Sequence, residues 1–135
     1  MAYLSLLLTG GLLAVIIYWL TFPYKVIDFN DGAFRVNNKQ VRQGEYLSYE
    51  VSYCKYTESL AEVTISFVDG IIYTTPRDPQ AFYELGCHTK TILLYIPKAL
   101  PGGKYYLNHN FNFELNPIRE VNINAQTEMF EVLER

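Results

Sequence analysis

The sequence predicts an all-β sandwich preceded by one hydrophobic α-helix, and three observations carry that expectation. Residues 1–24 hold no charged side chain, Lys25 being the first. From residue 25 onward, apolar and polar side chains alternate with period two through short segments separated by turn signals. Aromatic residues make up 16% of the chain, with 12 tyrosines, which suits pleated, half-buried strands. The chain therefore divides into 1–24, a transmembrane or assembly-embedded helix, and 25–135, about 110 residues that suffice for one small domain.

A run of about 20 apolar residues, wound as a helix, matches the hydrocarbon thickness of a bilayer and satisfies its own backbone polar groups. Tyr18, Trp19, Phe22 and Tyr24 gather at its far end, where amphipathic rings favour the headgroup region, and Pro23 stops the helix. A cleaved signal peptide fits less well. The start carries no Lys or Arg, and Thr21, Phe22, Pro23 and Tyr24 make a poor cleavage site. Gly10 and Ala14, with Gly11 between them, form a small-xxx-small pattern that allows another helix to approach closely. Lys25, Arg35 and Lys39 follow the helix and no basic residue precedes it, which by itself favours an inside location for the domain.

Residues 26–29 and 34–36 read as a first strand broken by a turn at Asn30, Asp31 and Gly32. Residues 45–56 alternate, with Leu47, Tyr49, Val51 and Tyr53 inward and Ser48, Glu50, Ser52 and Cys54 outward. Residues 61–69 repeat the pattern with Ala61, Val63, Ile65 and Phe67 inward. Asp69-Gly70 signals a hairpin, and 71–75 form its short return strand. Residues 76–86 read as a loop, because Pro76 and Pro79 cannot donate to a ladder. A strand over 87–97 and a turn over 98–104 follow. Then Tyr105, Leu107, Phe111, Phe113 and Leu115 fall on one face, and His109 shares their parity. Residues 120–134 close the domain; Val121, Ile123 and Ala125 differ in parity from Phe130 and Val132, which a bulge near Glu128 reconciles.

About seven strands with turns every 8 to 12 residues point to an immunoglobulin- or fibronectin-III-like sandwich. Pro101-Gly102, shortly before Tyr105 at the start of the penultimate strand, resembles the tyrosine corner of such sandwiches. The immunoglobulin Cys–Trp–Cys pattern is absent, since Trp19 belongs to the helix. In this fold the strand ending near Cys54 and the strand starting at Cys87 lie side by side and antiparallel, so the two cysteines come level. A Cys54–Cys87 disulfide is expected. It would stabilise by about 3–4 kcal/mol in the chain-entropy account and place the domain in an oxidising, extracytoplasmic compartment. That outweighs the flank charges and sets the orientation N-in, C-out.

No nucleophile-elbow, zinc-protease, Cys-x-x-Cys, phosphate-loop or dinucleotide motif occurs, so a non-enzymatic protein without cofactor is expected. Cys54, Cys87 and His88 lack a fourth zinc ligand, and the stretch 28–32 lacks the spacing and closing Glu of a calcium loop. A net charge of −3 gives no reason to expect nucleic acid as a partner. One surface remains. Pairing of the last two strands sets Tyr106, Asn108, Asn110 and Asn112 beside Asn122, Asn124 and Gln126, an uncharged amide face with an aromatic edge. Solvated sheet faces ordinarily carry more Lys and Glu.

The segments YKVIDFNDGAFRV, YEVSYCKY, SFVDGIIYT and LPGGKYYL, with the later NP and REV, resemble a group of uncharacterised small single-pass membrane proteins. That group carries an immunoglobulin-like domain and occurs in bacteriophages and environmental bacterial genomes. The resemblance covers nearly the whole chain and brings no catalytic residues. It implies a phage-encoded or envelope-associated protein.

The functional expectation is a membrane-inserted β-sandwich that mediates protein–protein or surface contacts, as part of a phage, virion or envelope assembly. Its expected partners are membrane lipid and other protein subunits, copies of this chain among them. A pilin-like filament subunit with a helical core, and an extracytoplasmic glycan binder using the amide face, are the alternatives.

Overall fold

A computed structural model describes residues 2–22, 24–75, 78–80 and 84–135. Helix α1 spans Ala2–Thr21 and buries no side chain. Its 20 residues rise about 30 Å, the thickness of a hydrocarbon core. The apolar surface runs all the way round, as in a helix surrounded by lipid or by other helices rather than one lying on a domain. Its hydroxyl groups turn back onto the helix itself. Ser5 Oγ donates to the Ala2 carbonyl at 2.9 Å, Thr9 Oγ1 to Ser5 at 2.9 Å and Thr21 Oγ1 to Ile17 at 2.7 Å. The Ser and Thr hydroxyls of α1 are thus satisfied in an apolar medium. Pro23, the expected stop, lies outside the described residues.

Among the described residues the domain has ten strands: β1 Ile27–Val36, β2 Gln40–Arg42, β3 Tyr46–Lys55, β4 Ala61–Asp69, β5 Ile71–Thr74, β6 Asp78–Gln80, β7 Gly86–Tyr95, β8 Gly103–Asn116, β9 Arg119–Gln126 and β10 Phe130–Leu133. They form two open sheets. One has the order β1-β3-β7; the other runs β2-β10-β8-β4-β5, with β6 on β4 and β9 on β8. All the pairings are antiparallel except β2 with β10, which is parallel.

Alternation places the core between the sheets. Leu47, Tyr49, Val51 and Tyr53 of β3 are buried, as are Tyr105, Leu107, His109, Phe111 and Phe113 of β8. Rings cross the gap: Phe29 and Phe34 of β1 lie 5.1 and 6.5 Å from Phe111, centroid to centroid.

Three details depart from the sequence reading. The first strand is not split, for β1 runs through 30–33 with a register shift between Phe29 and Phe34. Gly32, at φ +73°, supplies the left-handed residue that this irregularity uses. Second, the stretch 76–86 is not wholly loop. Asp78–Gln80 pairs with β4, Pro79 facing Glu62, and proline is tolerated there because the strand is an edge. Residues 76–77 and 81–83 of that stretch lie outside the described residues. Third, β2 crosses to the larger sheet to lie along β10, too short a segment to show periodicity. The parity change near Glu128 is a one-residue bulge between β9 and β10. Thr127, Glu128 and Met129 face only Tyr106 and Leu107 of β8. Thr127 holds it closed, its N–H donating to the Leu107 carbonyl and its Oγ1 accepting from the Leu107 N–H, both at 3.0 Å.

At the start of β8 the buried Tyr105 sends its hydroxyl back to the Pro101 carbonyl at 2.8 Å. This ties the turn after β7 to the core it caps. Burial raises the Tyr105 pKa above the ordinary phenol value, with Tyr73 and Asp69 adding to it, so the hydroxyl remains a donor. Tyr105→Phe keeps the ring and deletes the bond. It is expected to lower stability by about 1 kcal/mol or more, read as a shift in urea midpoint at unchanged slope.

Candidate functional site

The amide face is the outer surface of β8 and β9. Strict alternation on both strands sends the amides outward while Leu107, Phe111 and Phe113 fill the core. The register sets Asn108 opposite Gln126, Asn110 opposite Asn124 and Asn112 opposite Asn122, with Tyr106 further along β8. Asn110 Nδ2 donates to Asn124 Oδ1 at 2.8 Å, and Asn112 Nδ2 to Glu120 Oε2 at 3.3 Å. The Oδ1 atoms of Asn108 and Asn112 are shielded from solvent and accept no hydrogen bond from described residues. Beside them β4 contributes Glu62 and Thr64. Together with Asn110, Asn112 and Asn122 they line a depression of about 250 Å³. Its lining is polar and carries no basic group, so it suits a neutral ligand rich in hydroxyl donors. Glu62 of β4 and the opposed Glu114 and Glu120 add carboxylates at the border of the amides, and Glu62 has no sequence signal because it lies on a strand distant in the chain.

Cys54 and Cys87 form a disulfide between directly opposed residues of β3 and β7. It lies on the outer face of the small sheet, in line with Ser48, Glu50 and Ser52, and not in the core. His88 beside it is exposed and hydrogen-bonds through Nε2 to the Leu85 carbonyl at 2.8 Å. Among the described residues no group of three or more His, Cys, Asp or Glu is placed to hold a metal.

Gly10, Gly11 and Ala14 are exposed on α1, and a Cβ added at either glycine meets nothing within 4 Å. Their side of the helix is open to lipid or to another helix. At its C-terminal end α1 touches the domain. Asn116 Nδ2 donates to the Trp19 carbonyl at 3.2 Å, and Arg119 Nη1 donates to the Phe22 carbonyl. Neither residue carries a motif, so this contact between the β8–β9 hairpin tip and the helix end has no sequence signal.

His109 is buried, and its ring lies 4.7 Å from Phe34 and 6.1 Å from Phe111. Its Nε2 shares a 2.9 Å hydrogen bond with the Tyr49 hydroxyl, joining the two sheets across the core. Burial pushes the His109 pKa down from 6.5 to about 4, opposed in part by the Ala125 backbone. The imidazole is therefore neutral at pH 7 and structural in role.

No protein-family model matches the sequence, and no curated protein matches it.

The depressed His109 pKa has a thermodynamic consequence. Below about pH 6.5 the unfolded chain binds a proton that the folded chain refuses until about pH 4. Its stabilising contribution is complete above 6.5 and lost as pH falls through that window. Between pH 7 and pH 5 the loss should be about 2 kcal/mol, measured by urea unfolding at each pH. A His109→Gln variant, less stable throughout, should lack that share of the slope.

Proposed function

We propose that the chain is a membrane-anchored, non-enzymatic display protein. Its helix spans the bilayer, and an immunoglobulin- or fibronectin-III-type sandwich outside makes protein or surface contacts. The observation that carries this reading is the pairing of a fully exposed, all-round apolar helix with a disulfide-bridged β domain. The helix calls for an apolar surrounding, and the bridge calls for an oxidising compartment. The strand order supports the finer fold assignment. Three strands face a larger sheet, β2 crosses from the end of β1 to run parallel with the last strand, and a tyrosine corner opens the long strand β8.

The contact surface has two candidates. Away from the helix, Tyr46, Leu93 and Tyr95 are exposed at the far end of the β3–β7 pair, the two tyrosine rings 5.5 Å apart. This apolar, aromatic patch suits another protein. The amide face suits a glycan, and the polar depression lined by Glu62, Thr64, Asn110, Asn112 and Asn122 favours that second reading. Replacing Asn110 and Asn124 by Lys should abolish binding on a glycan array while the domain stays folded, its unfolding midpoint lowered by the lost Asn110–Asn124 bond and the opposed like charges. Retained glycan binding would remove the amide face from consideration.

Photo-crosslinking from Leu12 in the native membrane tests the anchoring. Crosslinks to lipid are expected. Crosslinks to the same helix in other copies would replace the anchor with a filament or oligomer core built on Gly10, Gly11 and Ala14. Crosslinks to a different chain would place the helix inside an assembly such as a virion or envelope complex.

A further inference from the structure

We propose that the helix-side end of the domain rests on the bilayer surface, with the apolar tips of its loops set into the headgroup region. The inference depends on α1 being a membrane span. It adds that the domain is seated on lipid and does not swing free above it.

Register brings four connections to this end. β1 starts where β3 ends, Ile27 facing Lys55, and β7 starts at the same level, Gly86 also facing Lys55. β4 starts opposite the last turns of β8, Ala61 facing Phe113, with β9 beginning nearby. The residues that join these strands therefore share one end with the exit of α1. Each of the three loops there projects a large apolar side chain. Tyr56 and Leu60 lie between β3 and β4, Leu85 before β7 and Ile118 between β8 and β9, at 53, 68, 46 and 49% exposure. Singly exposed apolar residues are ordinary. Their recurrence on every loop that faces the end of a membrane-length helix is what points to lipid.

The linker leaves little freedom to stand off. Five residues, 22–26, separate α1 from β1, a reach of about 20 Å even if fully extended. That reach is not used, because the two ends are tied together. The Asn116 and Arg119 bonds to the Trp19 and Phe22 carbonyls hold the β8–β9 tip against the last helical turn. Lys25 pairs with Asp28 at 2.9 Å and lies 5.3 Å over the Tyr56 ring, fastening the linker to the β3–β4 loop. With α1 filling the hydrocarbon core, Trp19 and Phe22 fall at headgroup depth, and the loops tied to them fall within a few ångströms of it. The charges at this end are mixed but more acidic than basic, Lys25, Lys55 and Arg119 against Asp28, Glu58, Glu84, Glu114 and Glu120, so a zwitterionic surface suits it better than an anionic one.

Site-directed nitroxide labelling of the full chain in phosphatidylcholine vesicles tests the proposal. Cysteines are introduced one at a time by Leu60→Cys, Ile118→Cys, Lys39→Cys and Leu12→Cys; the native pair is bridged and does not react. The expected result is that labels at 60 and 118 are shielded from a water-soluble nickel chelate and reached by oxygen. The label at 39, at the opposite end, should be fully accessible to nickel. Labels at 60 and 118 as accessible as that at 39, with position 12 reading as hydrocarbon, would overturn the seating and leave the anchor standing. Position 12 reading as aqueous would overturn both.

Discussion

The domain depends on the meeting of two inner faces, that of β3 and that of β8. Each strand alternates with period two, so each offers one continuous apolar side, and neither side is stable unless the other covers it. The join is not purely apolar. Tyr49 and His109 meet across it in a 2.9 Å hydrogen bond, deep among phenylalanine rings. A sliding of one sheet over the other by a residue would bury both polar groups without partners, which costs more than the bond itself contributes. The bond thus acts as a registration mark. Burial keeps His109 neutral in that bond at pH 7.

Much of the remaining architecture follows from this constraint. With the inward set of β8 committed to the core, Asn108, Asn110 and Asn112 have to face outward, and pairing with β9 lines them up against Gln126, Asn124 and Asn122. With β3 committed likewise, Cys54 faces outward, level with Cys87 across the β3–β7 ladder. The bridge therefore closes over the small sheet's solvent face and can form after the core has set. The length of β8 carries its tip at Asn116 down to the end of α1, where it meets the helix. One strand accordingly connects the Tyr105–Pro101 bond at the far end, the inter-sheet bond at the centre and the helix contact at the near end.

The parts legible in the sequence are those governed by local periodicity. Residues 47–53 and 105–113 announce their inward faces because a half-buried strand has no other way to satisfy its pleat. The Asp69-Gly70 hairpin is legible because Gly70 takes a φ of +66°, a conformation glycine tolerates freely. The Cys54–Cys87 bridge was legible from the order of strands, with no use of cysteine spacing. What stayed hidden depends on distant pairing. Pro79 argued for a loop, and only its position on an edge lets 78–80 join β4. The three-residue β2 has no room for a pattern. The partner of His109 lies 60 positions away on the facing sheet. The helix-end contact of Asn116 and Arg119 depends on where a hairpin tip falls relative to a helix. Of the candidate site, alternation exposes the amides, but the depression also needs Glu62 and Thr64 of β4, which only the sheet order supplies.

One assay that joins bridge and sidedness tests the proposed anchoring of the domain on the oxidising side of a membrane. Sealed cells or right-side-out vesicles bearing the full chain are treated with a membrane-impermeant maleimide polymer, with and without an impermeant phosphine reductant. The expected result is no added mass without reductant and two labels, on Cys54 and Cys87, with it. Labelling that appears only after the membrane is broken, and needs no reductant, would mean free thiols on the inner side and would contradict it.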